Sequence, residues 1–225
     1  MGIPLPKKCS ISMCCPIPKS SFSPRIYGES SGKIAYFHAP KCASRTILGW
    51  FALAKYPKLL EENKGIFDPF LLGDYPKIST ITPEISLLEV GHRERFCVVR
   101  DPIDRFISAY SDRVLRYRRE EFDAFPTISH LIANLFHLED FPVLAHHIRP
   151  MCSFYGRELD QYTRIFSFNN LEGVKKYLEE GLQVSLPTIR LQSCEKINKP
   201  IISSTEREML EGYYAEDLAI YSAFF

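Results

Sequence analysis

Lys33-Ile34-Ala35-Tyr36-Phe37-His38-Ala39-Pro40-Lys41-Cys42-Ala43-Ser44-Arg45-Thr46 is the stretch on which the reading of this chain turns. Its first half is an apolar run with no polar alternation, the pattern of a strand buried on both faces of a parallel sheet. From Ser44 to Tyr56, Ile47, Leu48, Phe51 and Ala54 fall on one helical face, and Pro57 ends the helix. Strand, short loop and helix follow one another directly.

A second unit of the same kind begins at Arg95-Phe96-Cys97-Val98-Val99-Arg100. Pro102 suits the first turn of a helix, Asp101 can cap it, and Ile103, Phe106, Ile107, Tyr110, Val114 and Leu115 recur at helical spacing. Further strands are expected at Lys77 to Thr82 and Arg164 to Phe168, and helices at Thr127 to Leu138 and Leu171 to Glu180. A last helix is expected to start at Thr205-Glu206-Arg207-Glu208, on a capping-box pattern, and to run toward Tyr221. Strands alternating with helices predict an α/β fold, with a mostly parallel central sheet flanked by helices. Residues 1–30, rich in Pro and Ser and without periodicity, read as an irregular arm, and residues 31–225 as a single domain.

Composition narrows the function. The 225 residues, 45% hydrophobic and 24% charged, suit an ordinary globular domain. Lys plus Arg number 28 against 27 acidic residues, and a net charge of +1 argues against a broadly basic nucleic-acid binder. No window is apolar enough for a membrane span. Residues 1–24 lack a signal-peptide core, and Pro6 spoils the myristoylation pattern that Met1-Gly2 would begin. With no Asn-x-Ser/Thr sequon, the expected location is the cytoplasm. Seven cysteines without paired CxxC knuckles read as thiols in a reducing compartment, with no metal site expected.

The loop from Ala39 to Thr46 lies where backbone N–H groups meet the positive end of a helix, a natural seat for phosphate or sulfate. Lys41 supplies a mobile cation, Arg45 a forked one, and Ser44 and Thr46 hydroxyl donors. A plain surface loop containing Lys and Ser is the competing reading. The loop is not a Walker A motif: Gly49 comes too late, no Lys follows it, and no acidic magnesium set accompanies it.

Val98-Val99-Arg100-Asp101-Pro102-Ile103-Asp104-Arg105-Phe106-Ile107-Ser108-Ala109-Tyr110 is the second motif. Arg100 ends a strand, and Ser108 lies about two turns into the next helix; both can face the sheet edge where open α/β folds bind ligands. An Arg100 paired merely with Asp101 or Asp104 is the plainer alternative. Together the two motifs resemble the sulfotransferase superfamily, in its carbohydrate-type (family 2-like) branch. That family carries a Pro-Lys-x-x-x-[Ser/Thr] loop after its first strand and an Arg-[Asp/His/Asn]-Pro-x-x-Arg-x-x-Ser-x-Tyr segment. His147-Ile148-Arg149-Pro150 is similar to its His-Trp-x-Pro-Gln element, with Ile148 and Met151 departing from it, and Asn170 stands where an acidic residue usually precedes Leu171. Tyr214 to Tyr221 fits the closing helix, so the likeness runs from about residue 33 to residue 225.

The resemblance implies a P-loop-like sulfotransferase fold and 3′-phosphoadenosine-5′-phosphosulfate (PAPS) as sulfuryl donor, with no metal. It implies that Pro40, Lys41, Cys42, Ala43, Ser44, Arg45 and Thr46 hold the 5′-phosphosulfate, and Arg100 and Ser108 the 3′-phosphate. The acceptor is expected to be a hydroxyl or amine of a glycan or small molecule. Lys41 is the expected stabiliser of the leaving oxygen. The acceptor's base stays open among His38, His92, His146 and His147, with Glu84 and Glu89 also in reach of consideration. Arg113, Arg116, Arg118 and Arg119 read either as a solvated helix end or as a rim attracting an anionic acceptor. A catalytically inactive nucleotide-binding module and a phosphoryl-transfer enzyme are the competing functions.

Overall fold

The computed structural model describes residues 24–29, 32–62, 84–117, 125–189, 191 and 198–225. Its centre is a five-stranded sheet: β1 (Arg25–Gly28), β2 (Ile34–His38), β3 (Glu84–Ile85), β4 (Glu94–Val99) and β5 (Arg164–Ser167), in the order β3-β1-β2-β4-β5. β2, β4 and β5 run parallel, with Phe37 opposite Cys97 and Val99 opposite Ser167. These are the strands that the apolar runs mark. All five residues of β2 are buried, as a strand covered on both faces requires.

Period-two alternation divides the strand residues between two cores. Ile34, Tyr36, Phe96 and Val98 pack under α1 (Ser44–Lys55) and α8 (Leu171–Leu182), against Ile47, Leu48, Phe51, Val174 and Leu178. Ala35, Phe37, Cys97 and Val99 face Phe154 and Tyr155 of α7 (Cys152–Tyr155) and Tyr221 of α10 (Ala215–Tyr221). A third cluster packs α4 (Pro102–Tyr110) with α5 (Ile128–Ala133), α6 (Pro142–Ile148) and α9 (Ser204–Tyr213) through Phe106, Leu131, Leu144, Ile148 and Leu210. Two short helices, α2 (Leu59–Glu62) and α3 (Leu87–Val90), precede β4, and no helix among the described residues is long and apolar enough to cross a membrane.

Several elements differ from the sequence-based expectation. β1 draws residues 25–28 out of the expected arm and pairs antiparallel with β2, Arg25 opposite His38. Its hairpin is closed by the Glu29 carboxylate, which accepts from Lys33 N at 2.6 Å and Ile34 N at 3.1 Å. The expected strand at Lys77 to Thr82 lies outside the described residues. The helix expected over Thr127 to Leu138 breaks at Asn134 and continues as a 3₁₀ segment, Leu135–Asp140. The last helix starts earlier than expected: its capping box joins Ser203 and Glu206, with Ser203 N donating to the Glu206 carboxylate at 2.6 Å. It then breaks at Tyr214, where α10 takes over.

Candidate active site

The C-terminal ends of β2 and β4 open on the same edge of the sheet, which brings the loop after β2 beside the start of α4. Lys41 and Ala43 both take left-handed backbone conformations, φ 67° and 58°, and Cys42 between them does not. Alternating φ signs of this kind make successive N–H groups converge on one concavity. The N-cap of α1 is Ala43, and no side chain caps that helix. Its first-turn amides lie at the positive end of a twelve-residue helix. α4 is the contrast. There the Asp101 carboxylate accepts from Ile103 N and Asp104 N, both at 2.9 Å, and closes the terminus.

Within the loop, Pro40, Cys42, Ser44 and Thr46 are buried, and Lys41, Ala43 and Arg45 are half-buried. Burial pushes the Cys42 thiol up, and the Arg105 and Arg100 charges only partly oppose this, so it stays neutral. Ser44 was expected to offer a hydroxyl donor. Its Oγ instead donates to the Ala39 carbonyl at 2.9 Å and closes the loop from within.

Arg100 joins the two motifs. Its Nη1 donates to the Lys41 carbonyl at 3.1 Å, and its guanidinium lies over the Phe168 ring at 4.2 Å, just beyond β5. Among the described residues Arg100 makes no ion pair with Asp101 or Asp104, the plainer alternatives, and Oδ1 of Asp101 is taken up by its cap. Arg100 Nε is buried and meets no acceptor among the described residues. Burial draws the Arg100 pKa down, against the pull of Asp104 and Asp101. Ser108, half-buried on α4, makes no side-chain hydrogen bond among the described residues.

Beyond Tyr110, α4 widens into a π-helical segment, Ser111–Arg116. Here stands a residue that sequence reasoning missed. Asp112 is buried, its side chain 2% exposed, and its carboxylate meets Lys41 Nζ at 2.9 Å, Arg113 Nε at 3.6 Å and Arg116 Nη1 at 3.6 Å. Burial pushes its pKa up, yet Lys41, Arg113 and Arg45 together hold it below the ordinary carboxylate value. Arg113, half-buried, is tied inward, whereas Arg116 reaches the same carboxylate from an exposed position on the helix end. Arg118 and Arg119 lie outside the described residues.

The histidines separate by position. His92 is exposed in the turn before β4, at the opposite end of a six-residue strand, roughly 20 Å from Arg100. The structure does not bring it to the loop. His38 ends β2 beside the loop but is 4% exposed, with Tyr27 and Tyr36 set edge-on to its ring. Burial, then Arg25 and His146, lower its pKa to about 3. His146 stacks edge-on against His147 and Phe154, with Nδ1 3.3 Å from Arg149 Nη2, and burial and Arg149 lower its pKa to about 4. His147, on the last turn of α6, lies near Arg113 and Lys41; burial first, then those charges and His146, lower its pKa to about 2. Its Nδ1 is buried with no hydrogen-bond partner among the described residues. Glu84 lies in β3, the edge strand two places from β2, and the Glu89 carboxylate accepts from Ser86 N at 2.6 Å.

Arg105 holds the two sides of this site together. It is wholly buried, and its guanidinium donates to the Arg149 carbonyl from both Nη1 and Nη2, the first at 2.9 Å. The buried Asp217 carboxylate accepts from Met151 N at 2.6 Å and Cys152 N at 2.9 Å, capping α7 from α10. α4, α6, α7 and α10 are thus pinned behind the loop.

The sulfotransferase family model matches residues 25–222, from β1 to the end of α10. The chain belongs to the sulfotransferase family. No curated protein and no solved structure matches it. In this member of the sulfotransferase family the match begins at β1, so it takes in residues 25–28 of the expected arm.

Proposed function

We propose that this sulfotransferase takes PAPS as donor, with the 5′-phosphosulfate on the Lys41 loop and the 3′-phosphate at Arg100 and Ser108. The acceptor is a hydroxyl or amine of a glycan or small molecule. The observation that carries the reading is the bond from Arg100 to the Lys41 carbonyl, which sets an uncapped helix terminus and a half-occupied guanidinium side by side. Two anion seats at adjacent strand ends suit a nucleotide with a phosphate on each side of its ribose. Arg100 Nε, buried without a partner among the described residues, is a donor suited to an incoming acceptor.

In the transfer, the acceptor oxygen or nitrogen attacks sulfur while the bond from sulfur to the 5′-phosphate oxygen breaks. The acceptor's proton passes to a base, and the products are the sulfated acceptor and 3′,5′-adenosine bisphosphate. Charge grows on the leaving oxygen, so a lysine on the loop favours the transition state over the ground state. Lys41 fills that role, and the loop amides share it. His147 is the base this reading favours: it is neutral, near Lys41, and has an unclaimed ring nitrogen. An anionic donor beside it offsets the Arg113 and Lys41 charges and so raises its basicity, while burial, the larger cause of its lowered pKa, still holds it down.

The test is calorimetry of the full chain with 3′,5′-adenosine bisphosphate. Binding is expected, and ATP with magnesium is expected to compete poorly. No heat from the bisphosphate, or tighter binding of magnesium ATP, removes the PAPS reading and favours a phosphoryl-transfer enzyme.

A further inference from the structure

We infer that Asp112 is a positioning residue for Lys41, holding its ammonium charged and in place at the mouth of the loop. The inference rests on the reading of Lys41 given above. Lys41 shares its surroundings with Arg45, Arg113 and Arg116, all close enough to act on the same carboxylate. A guanidinium keeps its proton under any attainable condition, but an ammonium among like charges has two escapes. It can lose its proton, or its flexible stem can swing it toward water. A carboxylate at 2.9 Å removes both escapes, and the Lys41 side chain is accordingly only 14% exposed.

Asp112 is placed by the change of helix type. Across Ser111–Arg116 the helix carries more residues per turn than an α-helix, so side chains there are re-aimed relative to those of α4. Ser111 Oγ donates back to the Ile107 carbonyl at 2.8 Å within this widened turn. The result is one buried carboxylate facing Lys41, Arg113 and Arg116 together. It reaches the loop through Lys41 and so acts on the reaction through that side chain.

Competitive labelling of the full chain with an amine-reactive reagent, read by mass spectrometry, tests this. Lys175 is the internal control, because it is also 14% exposed and paired to Glu172 and Glu179. In Asp112→Asn, Lys41 is expected to label about tenfold faster or more, the lower end of what an opposite charge at contact exerts on an ionisable group. Lys175 labelling stays constant. Unchanged Lys41 labelling in a variant that still protects Lys175 overturns the assignment. Should Asp112→Asn unfold, seen as joint labelling of Lys175 and Lys41, Asp112→Glu decides. It keeps the charge, so Lys41 labelling stays within about threefold of the unaltered chain, and a tenfold rise overturns the assignment. An unaltered chain that binds no nucleotide sinks the donor reading alone and leaves the labelling result standing.

Discussion

Arg100 and Lys41 stand 59 residues apart in the chain, and the guanidinium of the first holds the carbonyl of the second at 3.1 Å. The fork that makes this bond also sits over the Phe168 ring, 4.2 Å from its centre. One side chain therefore spans three neighbouring strand ends, and it retains a buried Nε for an anion.

Arg100→Lys keeps the charge and discards the fork, so it separates electrostatics from geometry. The affinity for 3′,5′-adenosine bisphosphate is expected to fall by about ten- to a hundredfold, the worth of a hydrogen bond to a charged group. Asp101→Ala is the control beside it. Loss of that cap should lower stability by about 1 kcal/mol and leave nucleotide affinity alone. Calorimetry and urea unfolding on both variants give the answer, and equal affinity in Arg100→Lys removes Arg100 from the 3′-phosphate site.

Arg105 and Asp217 make a different prediction. Both are fully buried, with Asp217 capping α7 while the Arg105 charge offsets part of the burial that raises its pKa. Removing either strips hydrogen bonds from buried backbone partners, which costs about 1–3 kcal/mol for each group left unsatisfied. The expected result for Arg105→Met and Asp217→Asn is a large loss each in urea unfolding, with the double variant losing less than the sum by roughly 1 kcal/mol. Strict additivity would show that the two charges do not feel one another.

Much of this was legible in the chain. The unbroken apolar run of β2 and the Arg100 strand place the parallel strands, because strands buried on both faces carry no polar alternation. The loop from Pro40 to Thr46 was legible because it sits between such a strand and an amphipathic helix. Asp112 was not. Residues 111–116 continue a helical pattern at 3.6 spacing, and nothing in that pattern marks a widened turn, so its charges read as a solvated end. Arg105 was hidden for a similar reason: arginines are seldom wholly buried, and its carbonyl partners at Ile148 and Arg149 come from a distant helix end. β1 escaped because four residues, Arg25 to Gly28, are too short for a period, and its pairing depends on a side-chain contact at Glu29.

The three histidines near the loop make stability depend on pH in a fixed direction. His38, His146 and His147 fold with pKa values lowered by burial to about 3, 4 and 2, whereas an unfolded imidazole titrates near 6.5. Between those limits the unfolded chain binds protons that the folded chain refuses, so stability is fully present above about pH 6.5 and is lost as pH falls below it. Asp112, with its folded pKa depressed, adds to the loss at the acid end. Asp217, raised by burial, opposes it there. The urea midpoint is therefore expected to fall steadily from about pH 7 to about pH 4, with the slope of the m-value unchanged. His38→Gln should flatten that fall, because a group that cannot titrate carries no linkage. A midpoint that stays level across this range would mean that the imidazoles are reached by water and protonated in the folded chain, and with it would go the case for a neutral His147 beside Lys41.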